Sequence, residues 1–241
     1  MTGPTGSGKT ISLYAGLSYI NHLSRNISTA EDPVEVELED INQVHIHNKI
    51  GLTFAQTLRA LLRQDPDVLM LGEIRDFETA DIAIKAAQTG HLVLSSLHTN
   101  SAVEAVQRLA YLGIKIFNLV DAITLIISQR LVRLLCSQCK RDDLRCTSKH
   151  QLFFKQQSPT QIFKAEGCSG CHQGYKGRVG IYEVVRMTPD LKKLFIEQSP
   201  RSEIQLYLKT QQHISLLHSG FELIASGQTS IDELFRVLNE T

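Results

Sequence analysis

The chain has 241 residues, with 25 Lys+Arg against 25 Asp+Glu, so its formal net charge is zero. A balanced chain has no broad field to gather nucleic acid or anionic lipid, and no nucleic-acid binding is expected of it. At 42% hydrophobic and 21% charged it has the makeup of a folded globular protein, and its length suits one large domain or one with an appendage.

The most apolar stretch, Leu119 to Ile127, is interrupted by Asp121 and Thr124 and falls far short of the ~20 residues of a membrane span. Met1-Thr2-Gly3-Pro4 has neither the basic nor the apolar part of a secretory signal, so none is expected. Five cysteines are present, four of them in two Cys-x-x-Cys pairs, a spacing that favours metal over disulfides.

The first element along the chain is Gly3-Pro4-Thr5-Gly6-Ser7-Gly8-Lys9-Thr10, which meets every defined position of G-x-x-x-x-G-K-[ST]. Its glycines let backbone N–H groups point inward around phosphate oxygens. Lys9 can reach the β- and γ-phosphates, and the Thr10 hydroxyl can ligate Mg²⁺. A helix is predicted to start there, with its positive end at the phosphates. A short strand over 26–29 then leads into the acidic run Glu31-Asp32-Pro33-Val34-Glu35, turned by Pro33. One of these acids could polarise an attacking water.

A helical pattern over 53–63 precedes an apolar strand over 67–71 that runs into Gly72-Glu73. A carboxylate at the C-terminal end of a strand lies where α/β folds bind ligands, and Glu73 could hold the Mg²⁺ that bridges two phosphates. A helix over 79–89 ends at Gly90, and a strand over 91–97 carries His98 to its end. Another helix is predicted over 100–112. This alternation of strands and helices argues for a parallel sheet covered on its faces.

Residues 136–171 change character and read as an insertion framed by Cys136, Cys139, Cys168 and Cys171. Two thiolates from each pair suit a tetrahedral, closed Zn²⁺ site that pins a segment too poor in apolar residues to fold alone. The 28 residues between the pairs exceed the usual zinc-ribbon spacing. Cys146 has no partner in this pattern and reads as a free thiol. One more strand is predicted over 178–185, and only helical patterns follow. One begins at the cap Thr188-Pro189, and another runs over 231–239 behind Thr229-Ser230.

The order of the phosphate loop, the acidic box Glu31-Asp32-Pro33, the run Gly72-Glu73-Ile74-Arg75-Asp76 and the box ending in His98 resembles the secretion ATPases of type II secretion and type IV pilus systems. The resemblance covers nearly the whole chain. The runs Ile41-Asn42-Gln43-Val44 and 83–91 look most like the pilus assembly branch. A similar four-cysteine insertion occurs in the assembly and secretion branches and is absent from the retraction branch.

The resemblance implies a RecA-like P-loop NTPase core over 1–186, including the zinc-binding insertion at 136–171, and a C-terminal helical subdomain over 187–241. It implies Glu31 as general base for water, Glu73 as support for Mg²⁺ and His98 as sensor of the γ-phosphate, with His91 a weaker candidate in the same box. The expected cofactors are ATP, Mg²⁺ and Zn²⁺. The expected assembly is a homo-hexamer at the cytoplasmic face of the inner membrane, working against a membrane platform protein.

A rival reading is a non-catalytic remnant or nucleotide-binding interaction module. Only Met1 and Thr2 precede Gly3, whereas a phosphate loop is fed by an apolar strand. The chain as written is therefore expected to be a weak ATPase with exposed strand edges.

Overall fold

The computed structural model describes residues 1–143, 161–211 and 213–239. Cys146 lies outside the described residues. Two compact units are present: Met1–Ser128 with Val184–His213, and Gln129–Glu183 with Ile214–Thr241.

In the first unit, four strands form a parallel sheet: β1 (Ile27–Glu31), β2 (Asn42–His45), β3 (Val68–Leu71) and β4 (Leu92–Ser95), in the order β2-β1-β3-β4. Ser28 lies opposite Leu69 in β3, and Leu69 opposite Val93 in β4. Because the strands are parallel, every C-terminal end lies on the same edge. β3 is buried on both faces and therefore reads as an unbroken apolar run. Its side chains alternate between two helical layers. Val68 and Met70 pack with Leu13, Tyr14 and Leu17 of α1 (Lys9–Ile20). Leu69 and Leu71 pack with Leu58 and Leu61 of α2 (Phe54–Leu61) and Ala83 and Ala86 of α3 (Phe77–Gln88).

Beyond β4 the ladder continues through Thr2. Thr2 bridges in parallel to Leu97 on one side and to Ser128 on the other. Its N–H donates to Ile127 O at 2.7 Å, and Leu97 N–H donates to Met1 O at 2.8 Å. The residues that lead into the phosphate loop thus lie in line with β4 and β5 (Leu125–Leu135). An apolar cavity of about 140 Å³ adjoins them, lined in part by Met1, Val93, Leu97, Leu125 and Ile126.

A second core of this unit joins α4 (Ala102–Tyr111) and α5 (Ile116–Ala122) to α6 (Pro189–Ile196) and α7 (Arg201–Thr210) through Val106, Leu109, Leu119, Leu191, Phe195 and Ile204. Thr188 caps α6 as expected, accepting from Leu191 N–H at 3.3 Å.

The second unit contains the two-residue strands β6 (Arg141–Asp142) and β7 (Phe163–Lys164), paired antiparallel, together with much of β5 and of β8 (Tyr175–Arg186). Its core joins Val132 and Ile181 to Ile224 of α8 (Leu216–Ala225) and Ile231 and Leu234 of α9 (Ile231–Asn239). Of the helices that follow residue 187, α6 and α7 pack in the first unit and α8 and α9 in the second. The reason lies in the strand partners: each helix pair covers apolar strand residues of its own unit.

Candidate nucleotide site and cysteine cluster

The loop from Gly3 to Gly8 links the Thr2 ladder position to α1. Gly6 and Gly8 adopt φ of 78° and 84°, a region that favours glycine, and no atom lies within 4 Å of a Cβ built at Gly6. The loop is held at its foot. Gly3 N–H donates to Leu97 O at 3.3 Å, while Thr2 Oγ1 donates to Thr99 O at 2.7 Å and accepts from Thr99 N–H at 3.2 Å. These bonds fasten the loop to the segment that bears His98. Lys9 lies inside the loop, and its Nζ donates to Gly3 O at 2.8 Å and Pro4 O at 3.1 Å. Thr10 follows it in the first turn of α1.

Glu73 sits past the end of β3 and is almost wholly buried. It pairs with Arg75, and its Oε2 lies 3.5 Å from His98 Nε2. The His98 pKa is lowered, first by burial and then by the positive charge of Lys9, against the opposing pull of Glu73; Arg75 lowers it further. Lys9, Glu73 and His98, taken from three separate stretches, thus share one electrostatic neighbourhood. His91 is elsewhere: its Nδ1 lies 3.0 Å from Ala86 O, near the end of α3, and so ahead of β4 rather than beyond it.

Glu31 ends β1 on the same edge as Glu73, and a Cβ at Gly72 would lie 3.5 Å from Glu31 Cα. Of the acids in the box only Glu31 is buried, with Asp32 and Glu35 exposed. Its carboxylate accepts from Tyr14, Thr29 and Gln43. None of these three donors reads as a site residue in the sequence, since they come from a helix and two strands that meet only in the fold.

The site therefore brings together Lys9, Glu73 and His98, and it sets Glu31 beside the strand that carries Glu73. A helix N-terminus that follows a glycine-rich loop and a buried lysine can bind a polyphosphate, and a buried carboxylate such as Glu73 offers the hard oxygen ligand that a divalent cation prefers.

In the second unit the Sγ atoms of Cys136, Cys139, Cys168 and Cys171 all lie within 4.8 Å of one another. Cys136 and Cys168 are 4.0 Å apart, Cys139 and Cys171 3.7 Å, and Cys168 and Cys171 3.6 Å. A tetrahedral zinc with bonds of about 2.3 Å requires sulfur–sulfur edges of about 3.8 Å. Each pair is folded into a tight turn, with Cys139 N–H donating to Cys136 O and Cys171 N–H to Cys168 O, both at 3.3 Å. The donor set and its shape fit zinc.

The fold and the loop define a RecA-like P-loop nucleotide-binding domain. The chain belongs to the type II/IV secretion system protein family, whose model matches residues 1–236. Over its full length it is 52% identical to the type IV pilus assembly ATPase PilB of Acinetobacter baylyi and covers 42% of that protein. It is 46% identical to the type II secretion system protein E of Pseudomonas aeruginosa, again over its full length, and covers 48% of it. The chain thus spans less than half the length of these relatives. A crystal structure of the pilus retraction motor PilT with bound ADP superposes with a TM-score of 0.72 at 28% identity, covering 98% of this chain and 59% of the other. The Legionella pneumophila ATPase DotB, at 22% identity and a TM-score of 0.70, shares the fold.

Proposed function

We propose that the protein hydrolyses ATP with Mg²⁺ and powers assembly of a type IV pilus or of a type II secretion pseudopilus. The observation that carries this reading is the convergence of Lys9, Glu73 and His98 at the sheet edge where the phosphate loop opens. In this reading Lys9 exchanges its loop carbonyls for β- and γ-phosphate oxygens. Thr10 and Glu73 would hold Mg²⁺, which neutralises charge on the phosphates. Gly3, Pro4, Thr5, Gly6, Ser7 and Gly8 supply the backbone cradle.

Glu31 takes a proton from water as the water oxygen bonds to the γ-phosphorus. The bond to the β–γ bridging oxygen breaks, its electron pair stays with ADP, and the proton leaves Glu31 with the phosphate or to solvent. His98, lowered in pKa and therefore neutral at pH 7, can donate one hydrogen bond to a γ-phosphate oxygen. Catalysis of this kind depends on positioning and charge neutralisation.

The four cysteines bind one structural zinc. On the family resemblance drawn from the sequence motifs, six copies form a ring at the cytoplasmic face of the inner membrane, in contact with a platform protein. Among the described residues no helix is long and apolar enough to cross a membrane.

Steady-state ATP hydrolysis by the wild type and by Lys9→Ala tests the reading. Turnover that Lys9→Ala abolishes is expected. Tight nucleotide binding without turnover would favour an interaction module instead.

A further inference from the structure

Glu31 is 1% exposed, so its carboxylate depends on protein donors in place of water. Those donors are arranged unequally. Oε1 accepts from Thr29 Oγ1 at 2.5 Å and from Gln43 Nε2 at 3.1 Å, while Oε2 accepts from the Tyr14 hydroxyl. An ionised carboxylate offers about two lone pairs per oxygen. Both on Oε1 are taken, and one on Oε2 is left.

The donors are themselves fixed. Leu38 N–H donates to Gln43 Oε1 at 2.7 Å, which sets the amide so that Nε2 faces Glu31, and the same Nε2 reaches Val36 O at 3.0 Å. Glu35 N–H donates to the Tyr14 oxygen at 3.1 Å, so the hydroxyl hydrogen is directed to Glu31. The Tyr14 ring is held in the core between α1 and β3. Burial and the bond to Glu31 raise the Tyr14 pKa and keep the hydroxyl protonated.

We infer that Tyr14 is a positioning residue: with Thr29 and Gln43 it turns the Glu31 carboxylate so that a single Oε2 lone pair is free for the proton of the attacking water. The inference rests on Glu31 being the base. It also gives α1 a second task, because the helix that begins at Lys9 carries at Tyr14 the group that orients the base. The acidic loop is tied to the same hydroxyl through Glu35, so helix, base and loop share one bond network.

The test is steady-state ATP hydrolysis by the full protein, comparing wild type, Glu31→Gln, Tyr14→Phe, the Tyr14→Phe/Glu31→Gln double variant, Thr29→Ser and Thr29→Val. Removing the Tyr14 hydroxyl is expected to lower kcat about tenfold or more through misplacement of the base. KM for MgATP and binding of a fluorescent nucleotide should stay unchanged. Thr29→Ser should keep activity and Thr29→Val lose it, and the double variant should be no slower than Glu31→Gln alone.

Wild-type kcat in Tyr14→Phe beside an inactive Glu31→Gln overturns the inference while leaving the base in place. So does a parallel loss of kcat, nucleotide binding and melting temperature, which would make the tyrosine merely structural. Wild-type kcat in Glu31→Gln, or an inactive wild type, removes the reading of Glu31 as base and the inference with it.

Discussion

At the scale of single residues, charge decides what His98 can do. Its half-exposed side chain stands beside one carboxylate and two cations, and the cations together with burial outweigh Glu73. An NMR titration should therefore find His98 half-protonated below the usual 6.5. Arg75→Ala should raise that midpoint, because removing a cation favours the charged ring, and Glu73→Gln should lower it further. A midpoint that does not respond to Arg75→Ala would show that burial, Lys9 and Glu73 set it without Arg75. The two histidines of the same box should also separate in assay. His98→Ala is expected to reduce kcat, whereas His91→Ala, with its ring near the end of α3, should leave kcat unchanged and cost about 1 kcal/mol or less of stability.

At the scale of an element, α9 is held to β5 by charge as well as by apolar packing. The Glu233 carboxylate is buried and accepts from Arg133 Nε at 2.9 Å, Arg133 N–H at 3.0 Å and Arg236 Nε at 2.8 Å. Burial alone would raise its pKa, but the hydrogen bonds from Arg236 and Arg133 prevail and draw it down to about 2. A depressed carboxyl pKa stabilises the fold fully above the unfolded value of 4.5 and loses that contribution as pH falls through about 2. Urea denaturation should therefore show stability falling with acid from about pH 4.5 downward, and less steeply in Glu233→Gln. At pH 7 that substitution should cost about 3 kcal/mol, since it leaves two guanidinium groups without their carboxylate. A stability within 0.5 kcal/mol of wild type, about the spread of neutral surface substitutions, would show that the arginines are satisfied by water.

At the scale of the whole molecule, the two units have different sources of stability. The first rests on a parallel sheet with helices on both faces. The second has a smaller apolar core and, beside it, two-residue strands joined to the cysteine turns. Metal analysis of protein prepared under reducing conditions is expected to give one zinc per chain. Removing zinc with a chelator should then raise hydrogen exchange around β7 and β8 while β3 stays protected. Equal loss of protection in β3 would mean that the units unfold together. Metal-free protein with unchanged exchange would refute a structural zinc.

Local signals were legible in the sequence wherever the physics is local. The cap at Thr188 and the helix at Ile231–Asn239 appear as read, because a side-chain oxygen and a helical apolar period act within a few residues. The phosphate loop was legible through backbone geometry that only glycine adopts freely, and the four cysteines through the chemistry of thiolate pairs. The strand β3 was legible because both its faces are buried.

Other elements were not legible. β2 is four residues of mixed polarity that become a strand only by pairing with β1, and β5 begins inside a stretch whose apolar character favours no single element. Nothing local marks Tyr14 in its helix, and Gln43 reads only as part of the run Ile41-Asn42-Gln43-Val44; their task exists only where α1, β1 and β2 meet around one carboxylate. The division of the last four helices between two units was equally beyond the sequence. Apolar periodicity says that a helix has a face to bury, but which core receives it depends on contacts between residues far apart along the chain. The sequence alone thus determined the loop, the two cysteine pairs and the covered sheet, through interactions a few residues long. The tertiary structure alone decided which neutral groups hold the buried Glu31 carboxylate, because that depends on which elements lie side by side around it.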